Sequence, residues 1–477
     1  MELRLVLKNA AALSVASVLS KAVSAVVGIS VTRYLGPETF GEYSAALAFV
    51  STFILFADFG LSNYMVQEGS RDESVLPLYL GNTLLFKVFT SLVIYAVMLL
   101  LMHPANFNQS IQSMIIVFGL ASGLNALDST VYNYFQAKQQ MYFAAFYQFL
   151  STLLIGVLTI LVVVEKGNVV MITISQLVTA VVISLMLYAH LRRHIRLEFD
   201  VSRLLEMLKL GLPFGVAVIF LYIYFQIDMF MLTLMRSPLE VGIYSAAYRL
   251  IAILLLIPGI VTSVLYPILF QLGVESKEKH QGTIEKIFKV LSAVGIPGSV
   301  LLFVLANPLL TWLYANRFPQ SIPIMMLLSW FFALECLSFS LGDVLTTTNR
   351  QWTRAAIQGG AALLNIAINF YAIPRYGIYG ASVATLITEL YVFVLYYWIV
   401  RHQVYKIQIW RQLPVIVFAA TAMGFTAYFL RYLHPLASAS IAGILYLIIL
   451  ISLDKDFQRI GGYVLGQLTR RFRTSDK

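Results

Sequence analysis

Long apolar runs alternate with short polar segments along the whole chain. A membrane-spanning helix needs about 20 mostly apolar residues. Because lipid offers no hydrogen-bond partners to the backbone groups of an open strand, apolar runs of this length predict helices. The polar segments between them are too short for a folded soluble domain. About fourteen runs, numbered here as spans 1 to 14, lie at residues 11–32, 40–62, 80–102, 109–132, 142–164, 168–190, 209–235, 241–271, 283–306, 321–347, 354–374, 377–400, 412–430 and 435–453.

Composition supports an all-α polytopic membrane protein. Of the 477 residues, 59% are hydrophobic and only 12% are charged, against about 25% charged residues in a soluble domain. The mean hydropathy is +0.81. A single cysteine, Cys336, excludes a disulfide framework and a cysteine-based metal cluster, and no metal site is predicted.

The basic residues follow the predicted topology. With the loops numbered alternately from an inside N-terminus, 24 of the 33 Lys and Arg residues lie inside and 6 lie outside. This bias predicts that both termini are cytoplasmic. Because the charges form no single patch, the net charge of +10 does not indicate nucleic-acid binding.

A short internal repeat divides the predicted spans. Residues 37–46 read PETFGEYSAA and residues 238–247 read PLEVGIYSAA, six of ten being identical. Chance similarity is the alternative, but the offset equals six spans, which predicts two six-helix bundles related by a pseudo-two-fold axis along the membrane normal around a central cavity. The predicted domains are an N-terminal bundle (1–205), a C-terminal bundle (206–405), two additional helices (406–454) and a basic cytoplasmic tail (455–477).

Five motifs carry a resemblance to a known family. The chain resembles the polysaccharide transporter (Wzx-type) flippases of the multidrug/oligosaccharidyl-lipid/polysaccharide (MOP) exporter superfamily. The similarity covers essentially the whole chain and depends on the order and spacing of the motifs. They are RYLGPETFGEY (33–43), DFGL (58–61), QIDMFML (226–232), VGIYSAAYRL (241–250) and PRYGIYGASVATLI (374–387).

The resemblance implies a transporter and not an enzyme. Members of the family are expected to flip undecaprenyl-pyrophosphate-linked sugar repeat units across the bacterial cytoplasmic membrane by alternating access. The implied partners are the lipid-linked oligosaccharide, membrane lipid and polysaccharide polymerase or assembly proteins, and the expected state is a monomer. No cofactor is expected. Transport is expected to be coupled to a proton or sodium gradient.

Nine ionisable residues are assigned to the interior of the spans, apart from those that stand near a span's first residue: Lys21, Asp58, Lys87, Asp128, Asp228, Arg249, Glu335, Asp343 and Glu389. Facing lipid, they would cost on the order of 25–30 kcal/mol together, so they must pair, line a wet cavity or lie near an interface. Asp58 and Lys87 lie at similar depth and predict a structural ion pair. Asp128 and Asp343 are expected at a solvated cytoplasmic rim.

The two basic residues at depth are candidates for binding pyrophosphate. Lys21 lies near the midplane, and Arg249 is on span 8; a lysine and an arginine both suit a phosphate anion. Two alternatives stay open: Arg249 pairs with Asp228, or the face that carries Lys21 is a seam of small residues for helix packing. That face comprises Ser14, Ser17, Lys21, Ser24 and Gly28.

A second group of polar residues predicts ion coupling in a cavity. It contains Asp228, Glu335, Glu389, Asn365 and Asn369. The carboxyl groups either bind a cation or carry a proton, and a neutral, hydrogen-bonded glutamic acid is the alternative.

A proline predicts a gate. Pro258 lies inside span 8, where a proline removes one backbone hydrogen bond and permits a kink. We expect span 8 to bend near Pro258, so that the two halves open alternately.

Two other functions compete with flipping of a lipid-linked glycan. A cation-coupled multidrug exporter of the same superfamily would need carboxylates in its cavity, and six of the nine ionisable residues inside spans are acidic. A membrane polysaccharide polymerase or ligase would need a sizeable outer loop with catalytic residues. The sequence has no such loop and no nucleophile–base motif.

Overall fold

The computed structural model describes residues 3–192 and 197–459, with side chains from residue 19 onward except those of residues 217, 221, 263, 264, 267 and 274. Every regular element in these ranges is helical. The α-helices are α1 (Leu3–Ile54), α2 (Leu61–Gly69), α3 (Leu76–Leu101), α4 (Gln109–Ala137), α5 (Met141–Val164), α6 (Val169–Leu191), α7 (Val201–Met235), α8 (Pro238–Leu254), α9 (Leu256–Glu275), α10 (Lys277–Val304), α11 (Ala306–Tyr314), α12 (Ser321–Thr347), α13 (Gln351–Ile399), α14 (Leu413–Phe429) and α15 (Pro435–Leu453).

The number of membrane-spanning helices agrees with the predicted fold class. Eleven helices of the described residues are long and apolar enough to cross a membrane, and a twelfth is present if bent α7 is one span. Helices α1 and α13 contain 52 and 49 residues, about twice the length that a bilayer requires. Each therefore contains two of the fourteen predicted spans, and the prediction of an all-α polytopic protein is confirmed.

Two glycines divide these long helices. Gly36 in α1 has φ 75° and ψ 175°, and Gly377 in α13 has φ 56° and ψ −135°. Both φ values lie in the region that residues with a Cβ atom rarely adopt. Each glycine follows an Arg-Tyr motif, in RYLG and RYG, so similar sequences end the first of the two spans in each helix.

The eighth span is interrupted next to its proline. Helix α8 ends at Leu254 and α9 begins at Leu256, two residues before Pro258. Because proline has no N–H group, Pro258 cannot donate to the carbonyl of Leu254 four residues earlier. Helix α7 is also bent, by 50° between residues 220 and 222.

The chain forms two compact units. The first contains residues 1–246 and 362–381, and the second contains residues 247–361 and 382–477. These units are defined by packing, whereas the predicted domain boundaries rest on the sequence repeat, so those boundaries stay a prediction. Most of the basic tail, residues 460–477, lies outside the described part of the chain.

Each unit has its own apolar core. In the first, Met65, Leu80, Phe135 and Ile183 bring together α2, α3, α4 and α6. In the second, α10, α14 and α15 pack through small and apolar residues that include Ala420, Ala442 and Leu450. Small residues at helix contacts allow close backbone approach, which membrane helices need because lipid provides no hydrophobic driving force.

Candidate functional site

The structure brings Asp58 and Lys87 together in the first unit. The Lys87 Nζ atom lies 2.9 Å from Asp58 Oδ1 and also donates to Ser62 Oγ at 2.9 Å and to the Ala126 carbonyl at 3.1 Å. Asp58 in turn accepts from the Ser62 hydroxyl at 2.7 Å. With Ser129 Oγ at 3.3 Å, the ammonium group has four acceptors, from Asp58, α2 and α4, so that the buried charge is both paired and hydrogen-bonded.

Asp128 does not lie at a solvated rim, and that expectation was wrong. Its side chain on α4 is only 4% exposed, and Oδ1 accepts from Ser184 Oγ of α6 at 2.8 Å. Oδ2 is buried without a hydrogen-bond partner among the described residues. Depth along α4 does not determine solvent access, because α6 packs over this position.

Asp343 was placed wrongly for the same reason. It is fully buried in the second unit, where Oδ1 accepts from Tyr266 at 2.7 Å and from Arg354 Nη1 at 3.3 Å. Arg354 also donates to Thr346 at 2.8 Å. Gly342 makes room for this arrangement, because a Cβ atom there would lie 3.3 Å from the guanidinium carbon of Arg354.

A histidine extends this cluster to Tyr405, which lies after α13. Thr347 donates to the Asp343 carbonyl at 2.7 Å, so its oxygen accepts from His280 Nε2 at 2.9 Å. His280 Nδ1 lies 2.7 Å from the Tyr405 hydroxyl, and the neutral Nε2–H tautomer, with Nδ1 accepting from Tyr405, satisfies both contacts. Burial raises the pKa of Tyr405 to about 12, so Tyr405 remains a donor.

Asp228, Asn365 and Asn369 form an oxygen-rich group in the first unit. The amide nitrogen of Asn369 donates to Asp228 Oδ1 and, at 2.8 Å, to Asn365 Oδ1. The Oδ1 atom of Asn369 is buried without a hydrogen-bond partner among the described residues. One carboxylate and two amide oxygens are ligands that suit a hard cation, and a single negative charge favours a monovalent one.

Glu335 on α12 and Glu389 on α13 meet in the second unit. Both are buried, and their carboxyl groups are close enough to interact electrostatically. Two ionised carboxylates in one buried site repel each other, so a proton on one of the two groups stabilises the pair. The pair can therefore hold one proton. Loss of that proton would leave two negatively charged carboxylates that repel each other.

Lys21 belongs to the first unit and Arg249 to the second. Lys21 is exposed on α1, and no ion pair among the described residues includes it. The Ser14 and Ser17 side chains of the same predicted face lie outside the described part. Arg249 is half-buried on α8. Its positive charge interacts electrostatically with the side chain of the buried Tyr314.

Sequence reasoning missed the partner of Asp343 and the histidine cluster. Arg354 stands at the predicted start of span 11, where the sequence indicates a loop charge, and nothing in the sequence assigns a role to His280. The signal for Arg354 was its position eleven residues after Asp343 across a short turn between helices. For His280, no sequence signal identifies partners that lie 67 and 125 residues away.

A chain of membrane-spanning helices that buries carboxylates, amides and a lysine has the characteristics of a membrane transporter. The chain belongs to the polysaccharide biosynthesis protein family, whose model matches residues 6–273. This match confirms the resemblance to the polysaccharide transporters. No curated protein sequence matches the chain.

Solved structures share the fold over most of the chain. The lipid II flippase MurJ in an inward closed conformation is 15% identical, with a TM-score of 0.79 over 93% of this chain and 99% of MurJ. An inward-facing multidrug resistance MATE family transporter of the MOP superfamily is 14% identical, with a TM-score of 0.64 over 80% of this chain and 94% of that chain. A MOP superfamily transporter from Pyrococcus furiosus is 14% identical, with a TM-score of 0.52 over 82% of this chain and 95% of that chain. At these identities the likeness establishes the MOP fold.

Proposed function

We propose that the protein is a flippase that moves undecaprenyl-pyrophosphate-linked oligosaccharide repeat units across the bacterial cytoplasmic membrane for surface polysaccharide synthesis. The observation that carries the proposal is the match to the polysaccharide biosynthesis family. The fold likeness to a lipid II flippase, over 93% of this chain, supports a lipid substrate. Both termini are cytoplasmic in this proposal, the protein works as a monomer by alternating access, and it performs no covalent chemistry.

The substrate requires a cation for its pyrophosphate. In the proposal, Lys21 and Arg249 supply it: the ammonium acts as a point charge, and the guanidinium can make bidentate contacts. Lys21 is exposed on a helix of the membrane region, where an ammonium facing hydrocarbon would cost about 3 kcal/mol. A water-filled path for an anion would explain why a lysine is tolerated at this position.

Two sites are proposed to couple transport to an ion gradient. The Asp228–Asn365–Asn369 group has the ligands for a monovalent cation, and the Glu335–Glu389 pair holds a proton. In either case, loading or release of the ion changes the charge of a buried group, which alters the relative stability of two conformations. Pro258 is proposed as the hinge of the gate, because the helix is already interrupted beside it.

Transport is tested with purified protein in vesicles that contain a fluorescent undecaprenyl-pyrophosphate-linked oligosaccharide. A membrane-impermeant quencher or glycosidase then reports the fraction of head groups in the outer leaflet. Vesicles with the protein should expose the inner pool within the assay, while vesicles with an unrelated membrane protein should not. If the protein exposes no head groups in the presence of either gradient, the proposal is wrong.

The fold likeness to a multidrug resistance transporter favours cation-coupled drug export as the second candidate. Efflux of cationic dyes from cells that express the protein distinguishes it, because a glycan flippase should leave dye retention unchanged. A sugar-transfer assay with lipid-linked substrate tests the polymerase or ligase alternative. Product of increased length would show an enzyme.

A further inference from the structure

A cavity of about 350 Å³ opens in the first unit where α4 ends, α5 begins and α6 ends. It is separate from the buried carboxyl groups described above. Four aromatic or imidazole rings, one ammonium and one amide account for most of its lining. These residues are Tyr134, Phe135, Lys138, Gln140, Phe143 and His190.

The turn between α4 and α5 fixes the polar residues of this cavity. The Gln140 N–H donates to the Phe135 carbonyl at 2.8 Å, and the Lys138 N–H donates to the Tyr134 carbonyl at 3.1 Å. Gln139 adopts φ 57° between them, which closes the turn. Lys138 and Gln140 therefore stand on a hydrogen-bonded backbone rather than on an extended loop.

The cavity has a positive charge and aromatic walls. Lys138 Nζ lies 5.3 Å from the centre of the Tyr134 ring. No carboxylate lines the cavity, and Lys138 takes part in no ion pair among the described residues. The His190 ring packs against Phe143 and Phe135, with centroids 5.0 and 5.7 Å apart. The residues that line the cavity therefore provide no counter-charge for the ammonium.

The surroundings place the cavity at the level of lipid head groups. Tyr142, Phe146 and Tyr188 flank the same helix ends and are each at least half exposed, as expected for rings at the membrane–water interface. Arg192 directly follows α6 and is exposed. By the distribution of basic residues, this end faces the cytoplasm, whose leaflet carries anionic lipids.

We propose that this cavity binds the phosphate head group of an anionic membrane phospholipid. Lys138 neutralises the phosphate, the amide of Gln140 donates to it, and the aromatic rings contact the glycerol and the first methylene groups of the acyl chains. Basic pockets between membrane helices are known to hold such head groups. The site lies within one unit and needs no transport substrate, so it stands or falls separately from the proposed flippase activity.

Binding is tested with the full chain in detergent, titrated with short-chain phosphatidylglycerol and followed by native mass spectrometry and thermal unfolding. The Lys138→Gln variant should bind phosphatidylglycerol roughly tenfold more weakly, because one charge-assisted contact is lost. Lys138→Arg should retain most of the affinity. The matched control is Lys277→Gln, which removes an exposed lysine at the same predicted face and should change nothing.

Two further arms address the shape of the site and the source of the phosphate. Gln140→Trp should fill the cavity and abolish binding while Lys138 remains, with an unchanged melting temperature in the absence of lipid. Phosphatidylcholine and free glycerol phosphate should bind at least tenfold more weakly than phosphatidylglycerol. Equal binding by Lys138→Gln and wild type, an equal loss in Lys277→Gln, or equal affinity for free glycerol phosphate would each overturn the proposal.

Discussion

Gly41 and Gly242 pack backbone to backbone at equivalent positions of the two repeated segments. A Cβ atom at Gly41 would overlap the carbonyl oxygen of Pro238, and one at Gly242 would overlap that of Pro37. Each added Cβ would also lie 2.9 Å from the other glycine's nitrogen. Such reciprocity, in which i contacts j as j contacts i, is the property of a local two-fold axis. The repeated PxxxG pattern therefore has a packing role.

Alanine at either glycine should destabilise the first unit. The overlap is with backbone atoms, which cannot move aside as a flexible side chain can, so we expect Gly41→Ala and Gly242→Ala each to cost about 1–3 kcal/mol. Thermal unfolding in detergent measures the change. Gly443→Ala is the control, because a Cβ atom there meets nothing within 4 Å and alanine favours a helix. Unchanged melting of both repeat variants would contradict the close contact.

The sequence predicts the fold better than the polar contacts, for a physical reason. Runs of apolar residues report the length of each membrane span, and the glycine-containing junctions report where a helix turns back. Contacts such as Asp343–Arg354 depend on which helix faces cover each other. Because the spans are apolar on most sides, periodicity does not mark those faces. Depth alone brought Asp58 and Lys87 together, yet it misplaced Asp128.

The Lys87–Asp58 ion pair should behave as a buried pair. Lys87 has a side chain 3% exposed, so Asp58→Asn leaves an ammonium without its counter-charge and should cost roughly 3 kcal/mol. Lys87→Met should be milder, because the Asp58 side chain is 30% exposed.

The double variant distinguishes pairing from packing. Asp58→Asn/Lys87→Met should be more stable than Asp58→Asn alone, since no buried charge remains. The control is Arg203→Gln, which breaks an exposed pair with Glu206 and should change stability by less than about 1 kcal/mol. Strict additivity of the two single changes would contradict a coupled pair.

The contact between α10 and the segment after α15 should weaken in acid. Lys289 Nζ lies 2.7 Å from Asp454 and 2.6 Å from Asp456, and the hydrogen bond from Lys289 lowers the pKa of Asp456. A lowered carboxyl pKa adds stability above the unfolded-state value of about 3.9, and this contribution is lost as the pH falls through the lower folded value.

The pH dependence is measured as the difference in melting temperature between wild type and Lys289→Gln. The difference should be constant from pH 7 to about pH 4 and should shrink below that. It should be small, because the Asp456 side chain is 58% exposed and solvent screens the pair. Lys277→Gln should show no such trend. A difference that grows in acid would contradict the assignment.

The two proposed coupling sites predict different ion dependences. Asp228→Asn removes the carboxylate of the oxygen-rich group and should abolish stimulation of flipping by a sodium gradient if that site couples transport. Glu389→Gln retains a hydrogen-bonding neighbour for Glu335 but cannot release a proton, so it should abolish stimulation by a proton gradient. Transport in vesicles with one gradient at a time separates the two. If both variants respond to both gradients as wild type does, neither site couples transport.

Removing either proposed anion-binding residue should stop transport without removing the protein. Pyrophosphate in a low-dielectric path loses its counter-charge in Lys21→Ala or Arg249→Ala, and charge-assisted contacts are strongest in such surroundings. We therefore expect glycan export to fall at least a hundredfold, about 2.7 kcal/mol, with normal protein levels.

Lys279→Ala, at an exposed lysine, is the control, and Asp228→Asn should be milder than either variant. Arg249→Lys should restore part of the export, because the charge remains while the bidentate geometry is lost. Normal export by Lys21→Ala, or loss of the Arg249→Ala protein itself from the membrane, would place the anion site elsewhere.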